Sequence, residues 1–466
     1  MASQSDINRP PGTSSASQAF FDHASAKCVS TDAVITKALN KQYPNLELIV
    51  VPTYSLNLWG YAAAGFATAE PIEDAGSDLP SGIQWDMYIP PAKRLNGGQG
   101  FIVDVPKFAK YLYKWRNDDF IIYYIECRDG VFPDGPINWY ILSTNKLKTQ
   151  QLILEAGYWS NQLHSEAWVF DGGYWQKSTE MYESVQKASW DVVILDPKMK
   201  NAIIEDHLSF FRSREAYEHL RVPWKRGIIY HGPPGNGKTI SIKATMNMLS
   251  KLDPSVQSLY VRTLQSWSGP EFSIQQIFSH ARSCAPCYLI FEDLDSIIDD
   301  SVRSYFLNEV DGLKDNDGVF MIGSTNHLER LDPGISKRPS RFDRKYYFPN
   351  PNLGERTAYC HFWQKKLSDN KDIEFPDALC RAIAEITDKF SFAYIQEAFV
   401  ASLLAIARRS EDAALADAAC TLDLDDGWVD VLDSAHTAKD LDKLVLWVEM
   451  QKQVAILREG LEDEEQ

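Results

Sequence analysis

The residues whose types and spacing could do chemistry begin at Gly232. Gly232, Pro233, Pro234, Gly235, Asn236, Gly237, Lys238 and Thr239 fit G-x-x-x-x-G-K-[ST], and Ile240 extends the run. An apolar stretch, Gly227 to Tyr230, precedes them and a helix-compatible run, Ile240 to Met246, follows. That strand–loop–helix context is what the motif requires. Glycines 232, 235 and 237 let the backbone curl so that its N–H groups converge on an anion, and the helix N-terminus adds partial positive charge. Such a loop holds a nucleoside triphosphate, with Lys238 reaching the β- and γ-phosphates and the Thr239 hydroxyl able to ligate Mg²⁺. A second apolar run, Cys287 to Phe291, ends in Glu292 and Asp293. Two acids at a strand end beside a phosphate loop suit two tasks. By position Glu292 goes to the metal, directly or through water, and Asp293 to general-base work on water. The blander alternatives are a chance glycine-rich turn and an exposed acidic turn; the flanking pattern disfavours both. ATP and Mg²⁺ are the expected cofactors.

Parallel strands must position these groups. Gly227–Tyr230, Leu259–Val261, Cys287–Phe291 and Val319–Ile322 are short apolar runs with helical stretches between them. That pattern indicates a parallel sheet covered on both faces. Residues 191–350 are read as this nucleotide-binding α/β subdomain and 351–410 as a helical lid. Upstream, residues 21–190 read as an α+β domain. Phe120–Ile125 and Trp139–Leu142 are its strands, Gln150–Ser165 its helix, and Ala167–Trp175 a hairpin turning on Asp171-Gly-Gly173. Residues 1–20, rich in Ser, Pro and Gly, read as a flexible arm. Residues 411–466 read as an acidic segment with an amphipathic helix near 436–459, carrying Leu441, Leu444, Val445 and Val448 on one face.

Composition narrows the function classes. The chain has 466 residues, 44% hydrophobic and 24% charged, with net charge −17. That is globular composition, and it argues against a broad basic face for nucleic acid. The acidity is concentrated: Ser410 to Gln466 hold 16 acidic and 4 basic side chains. Seven cysteines, an odd number, make no disulfide framework and fit a reducing compartment. The first 20 residues show no apolar core of a secretory signal. An intracellular address follows, the cytoplasm first and the mitochondrion as the alternative. Leu48 to Ala69 lacks charge, but Pro52, Thr53, Ser55 and Asn57 interrupt it. It reads as buried strand and helix rather than a membrane span.

The segment Gly323 to Arg344 is more specific than the phosphate loop. It resembles the second region of homology of the AAA family of ATPases, a likeness covering roughly Trp190 to Arg409. The resemblance implies a P-loop AAA module and lid preceded by the α+β domain. It implies that Asn326 orients the attacking water. It implies that Arg341 and Arg344 are arginine fingers acting on ATP held by a neighbouring subunit, hence a homo-oligomer: hexamer, heptamer or open helical assembly. Trp267 and Gly269 partly match the family's pore loop, with Ser268 in the middle position. Ala393 stands where the lid approaches the nucleotide. Two departures refine the branch: the acid order Glu292-Asp293, and Arg338-Pro-Ser-Arg-Phe-Asp-Arg344. With Pro223 to Tyr230, they resemble soluble fungal relatives of the mitochondrial Rieske-protein chaperone-translocase. That protein's compartment and iron–sulfur client are not carried over.

The resulting expectation is an ATP-hydrolysing motor that remodels, translocates or assembles a protein client. An ATP-gated scaffold with low turnover is the alternative, and a nucleic-acid motor a more distant one. Cys284-x-x-Cys287 with His280 imitates a metal or redox site, but a structural zinc site wants four ligands, and Cys287 should be buried at its strand start. His231 reads as packed. Five tryptophans between Trp139 and Trp190 read first as core and second as a client groove.

Overall fold

The computed structural model describes residues 30–72, 82–91, 99–127, 137–311, 315–338, 341–370, 373–419 and 441–464. The arm expected at 1–20 and the acidic stretch at 420–440 lie outside the described residues. The chain divides into two compact units after Leu163.

The first unit is an antiparallel sheet of β1 (Glu47–Pro52), β2 (Thr68–Pro71), β3 (Ile83–Ile89), β4 (Phe101–Trp115), β5 (Asp118–Glu126) and β6 (Ile137–Ser143). Its order is β1-β6-β5-β4-β2, with β3 also on β4. Period-two alternation sends side chains to opposite faces. Phe120, Ile122, Tyr124, Trp139 and Ile141 meet Leu58 and Tyr61 of helix Leu58–Ala63 and Leu152 and Ala156 of helix Lys146–Asn161. Tyr123, Ile125, Tyr140 and Leu142 meet Leu39 of helix Thr31–Gln42. The uncharged run Leu48–Ala69 is therefore strand, turn and helix, and no described helix is long and apolar enough to cross a membrane. The helix expected over 150–165 starts at Lys146, because the Asn145 side chain accepts the Leu147 N–H and caps it.

The second unit holds β7 (Ala167–Asp171), β8 (Tyr174–Ser178), β9 (Arg226–His231), β10 (Gln257–Val261), β11 (Cys287–Phe291), β12 (Val319–Thr325) and β13 (Arg344–Tyr347). They form one sheet, β13-β9-β12-β11-β10-β7-β8, in which only β7 and β8 run antiparallel. Helices cover both faces. Tyr288, Ile290, Phe320 and Ile322 share a core with Ile203 and Phe210 of helix Pro197–Arg212 and Ile242 and Met246 of helix Lys238–Ser250. On the other side Phe291 packs against Phe278 and Phe306, from helices Pro270–Cys284 and Arg303–Asp311. The expected α/β architecture is thus present.

Two boundaries need correcting. The hairpin read at 167–175, whose strands extend over 167–178, was expected in the upstream domain, with the boundary at 190. Instead β7 pairs in parallel with β10 and extends the nucleotide-binding sheet. Local turn chemistry identified the hairpin but carries no information about its long-range partner. The terminal helix is the second correction. It spans Val445–Glu464, and Leu441, Leu444, Leu446, Trp447, Met450 and Val454 enter one core with Cys360, Leu379, Ile383 and Phe399 of the lid. Val445, expected on the apolar face, is exposed. Among the described residues the lid therefore has four helices, Leu353–Lys366, Asp377–Ile386, Phe392–Ala419 and Val445–Glu464, the last contributed from beyond the acidic stretch. Of the five tryptophans, Trp139, Trp168 and Trp190 are buried and Trp159 and Trp175 half-buried, as core packing requires.

His207, on helix Pro197–Arg212, is fully buried; its Nδ1–H donates to the Ile203 carbonyl at 2.7 Å and its ring stacks on Phe320 at 4.4 Å. Burial pulls its pKa down to about 4, with Asp206 opposing and Arg226 assisting. The unfolded imidazole protonates near 6.5. Stability is therefore fully present above about pH 6.5 and lost as pH falls toward 4, on the order of 3 kcal/mol in all. His207→Gln should flatten the fall in denaturation midpoint across that window; parallel curves for the two proteins would clear His207.

Candidate functional site

The phosphate loop joins β9 to helix Lys238–Ser250. Gly235 and Gly237 take φ of +77° and +92°, where a side chain is strained. A Cβ on Gly235 would also come within 2.5 Å of the Ala393 Cβ. Lys238 is only 7% exposed, and its ammonium donates to the carbonyls of Gly232 at 2.7 Å and Pro233 at 2.8 Å. Burial lowers its pKa, and the charges of Asp293 and Asp295 oppose that shift.

One cavity of about 620 Å³ brings the expected groups together. Pro234, Gly235, Gly237, Lys238, Thr239 and Ile240 line it with Asp293, Asn326 and Ala393. The acids arrive from β11 and the asparagine from β12, which lies between β11 and β9. Asp293 has φ +50°, and its N–H donates to the Ser324 hydroxyl at 3.3 Å. Asp295 accepts from the Thr325 hydroxyl at 2.6 Å. The same cavity is lined by Val192 and Ile194 and, from the lid, by Tyr359, Phe362 and Phe392. Tyr359 meets Phe362 at 5.9 Å, near parallel, and Phe392 at 5.1 Å, edge-on. An aromatic wall and a glycine loop lining one cavity fit a molecule with a flat base and a polyanionic tail.

Several expected residues sit elsewhere. Glu292 is not on the cavity lining: its Oε2 accepts from the Tyr260 hydroxyl at 2.6 Å. Burial and this carboxylate raise the Tyr260 pKa, so the phenol remains the donor. Glu292 Oε1 is buried and has no hydrogen-bond partner among the described residues. Thr239 is a hard oxygen donor on the cavity beside the phosphate cradle, and the buried Glu292 Oε1, without a hydrogen-bond partner among the described residues, stands at the end of β11. That donor set fits Mg²⁺, which takes one or two carboxylates together with phosphate oxygens. Asn236 is buried and turns to Asn350 rather than to the cavity. Ala393 donates its N–H to the Gly235 carbonyl at 3.2 Å, against the phosphate loop.

Both candidate arginine fingers are engaged within the chain. Arg341 donates to the Gly334 carbonyl at 2.6 Å, and its Nε stands 3.6 Å from Asp311, an ion-pair distance too long for a hydrogen bond. The Arg344 Nη1 stands 2.7 and 2.8 Å from the two carboxylate oxygens of the buried Asp206, beside the Tyr346 hydroxyl and the more distant Arg226. Trp267 is fully exposed, and Gly269, at φ +87°, starts helix Pro270–Cys284. Cys287 is buried at the start of β11 and donates to the Ala281 carbonyl, while Cys284 meets His280 at 3.5 Å. Burial pushes both thiols up, away from the thiolate that metal or redox chemistry needs. His231 packs on Tyr347 at 5.3 Å.

Sequence reasoning missed Ser324, Thr325 and Asp295, although all three stand within two residues of a motif position. It also missed the aromatic wall, which carries no motif and is assembled from the lid.

Residues 228–350 match the family described as ATPase family associated with various cellular activities (AAA). The AAA module is the nucleotide-binding part of this fold. Among curated proteins, the ATPase histone chaperone abo1 of Schizosaccharomyces pombe is 31% identical over 186 residues, 37% of this chain. The chain covers 15% of that relative's length.

Asp206 is 5% exposed, so removing Arg344 takes the closest cation from a buried carboxylate. Arg344→Ala should lower stability by about 1–2 kcal/mol. Thermal melting of the isolated protein without nucleotide checks this; an unchanged midpoint would return Arg344 to a purely intersubunit role.

Proposed function

We propose that this protein is an ATP-hydrolysing AAA motor that self-associates and remodels a protein client. The observation that carries the reading is the single cavity shared by the glycine loop, Lys238, Thr239, Asp293 and Asn326. Loop N–H groups and Lys238 hold the phosphates, and the aromatic wall holds the base. Thr239, with Glu292 behind it, supplies oxygen to Mg²⁺, which when bound would neutralise charge on the β- and γ-oxygens. Asn326 orients water in line with the γ-phosphorus, and Asp293 accepts its proton as the P–O bond to the leaving ADP breaks. Arg341 of an adjacent copy is the proposed trans-acting guanidinium, which requires it to leave Gly334 and Asp311. Arg344 is better explained as the Asp206 clamp. The assembly would be a ring of six or seven, or an open helix.

The client reading is supported by the relative named as an ATPase histone chaperone. The net charge of −17 suits a basic client, and Trp267 stands ready to touch one. Within the family we place the chain on the branch of the Rieske-protein chaperone-translocase, on the acid order and the Pro223–Tyr230 run. All five described cysteines are free, which fits a reducing intracellular compartment.

ATP turnover per subunit should rise with protein concentration and collapse in Arg341→Ala. Asp293→Asn should keep ATP binding and lose about 10²–10⁴ in turnover. Flat, negligible turnover with tight binding would favour the nucleotide-gated scaffold instead. Trp267→Ala should leave basal turnover intact and abolish its stimulation by a client protein; full stimulation in the variant would remove Trp267 from client contact.

A further inference from the structure

We infer that Asn236 is a positioning residue that ties the phosphate loop to the helical lid and so sets the base end of the nucleotide cavity; the inference rests on the nucleotide reading above. Its neighbours Pro234, Gly235, Gly237 and Lys238 line the cavity, whereas Asn236 is 1% exposed and points into protein. Its Nδ2 donates to Asn350 Oδ1 at 2.8 Å, and Asn350 Nδ2 donates in turn to the Lys389 carbonyl at 3.1 Å. Asn350 lies between β13 and helix Leu353–Lys366, where the sheet hands over to the lid. Lys389, at φ +65°, precedes helix Phe392–Ala419.

The amide relay therefore runs from the loop, through the connection, to the turn before a lid helix. A second contact runs beside it, from the Ala393 N–H to the Gly235 carbonyl at 3.2 Å. Two consecutive loop residues thus reach the lid, Gly235 directly and Asn236 through Asn350, and that lid carries Tyr359, Phe362 and Phe392 to the cavity. Asn236 Oδ1 is buried without a hydrogen-bond partner among the described residues, so the donated hydrogen bond is the side chain's one anchor there. Phosphates seated on the loop fix Gly235 and Gly237, and the residue between them passes that position to the aromatic wall.

A phosphate-binding role and a lid-positioning role separate by ligand. Calorimetric titration of the full chain with ADP and with inorganic tripolyphosphate compares the wild type, Asn236→Ala, Asn350→Ala and the double variant. Each single change should weaken ADP about tenfold, the value of one buried hydrogen bond, with tripolyphosphate held within about twofold. The double variant should be no worse than either single one, because the two amides act as one link. Unchanged ADP affinity would overturn the inference, as would a parallel loss of tripolyphosphate. Should Asn236→Ala fail to fold, Asn350→Ala, outside the loop, decides alone. A wild-type chain that binds neither ligand would overturn the nucleotide reading itself, and this inference with it.

Discussion

The buried ammonium of Lys238 is the constraint on which the second unit depends. A cation 7% exposed needs carbonyls, anions or both around it. Here it takes two loop carbonyls directly, and the acids after β11 oppose its desolvation from further away. The sheet order is compatible with that arrangement. β9 ends at the loop, β12 stands between it and β11, and because the three run parallel their ends meet at one edge. The first unit answers to a different demand: its antiparallel sheet carries an apolar cluster on each face, and the central strands β5 and β6 are buried along most of their length.

Much of this was legible from sequence. The glycines, Lys238 and Thr239 announce themselves because backbone conformation and phosphate chemistry leave few alternatives at those positions. The apolar strands were legible because strands buried on both faces cannot alternate. What was not legible depends on partners distant in the chain. Turn chemistry around Gly172 predicts a hairpin wherever it lies, and the pairing of Val169 with Tyr260 decides which sheet receives it. The apolar face of the terminal helix was assigned from spacing, yet Leu446, Trp447 and Met450 face the lid and Val445 does not.

The arginines show a related limit. A motif names residue types, whereas an ion pair is a property of geometry. Arg341 and Arg344 are three apart in one motif, yet one rests on a carbonyl and the other closes a buried carboxylate across more than a hundred residues of chain. Asp206 has no motif of its own. Its burial beside Tyr346 and Arg226 gives Arg344 a task within the subunit that the motif cannot express.

The reversed acid pair has a physical reading in the backbone. Asp293 sits at φ +50°, in the left-handed region that few side chains tolerate. Asp is among the exceptions, because its short polar side chain can bond locally. A Glu there would lose that advantage while gaining a methylene of reach. Glu at 292 and Asp at 293 are thus matched to their backbones. The longer acid, first after the end of β11, spans to the Tyr260 hydroxyl. The shorter one is carried into the cavity by the turn itself, its N–H fixed on Ser324. Reach that a longer side chain would have supplied comes instead from main-chain conformation, and the acid order and the left-handed turn are one feature rather than two.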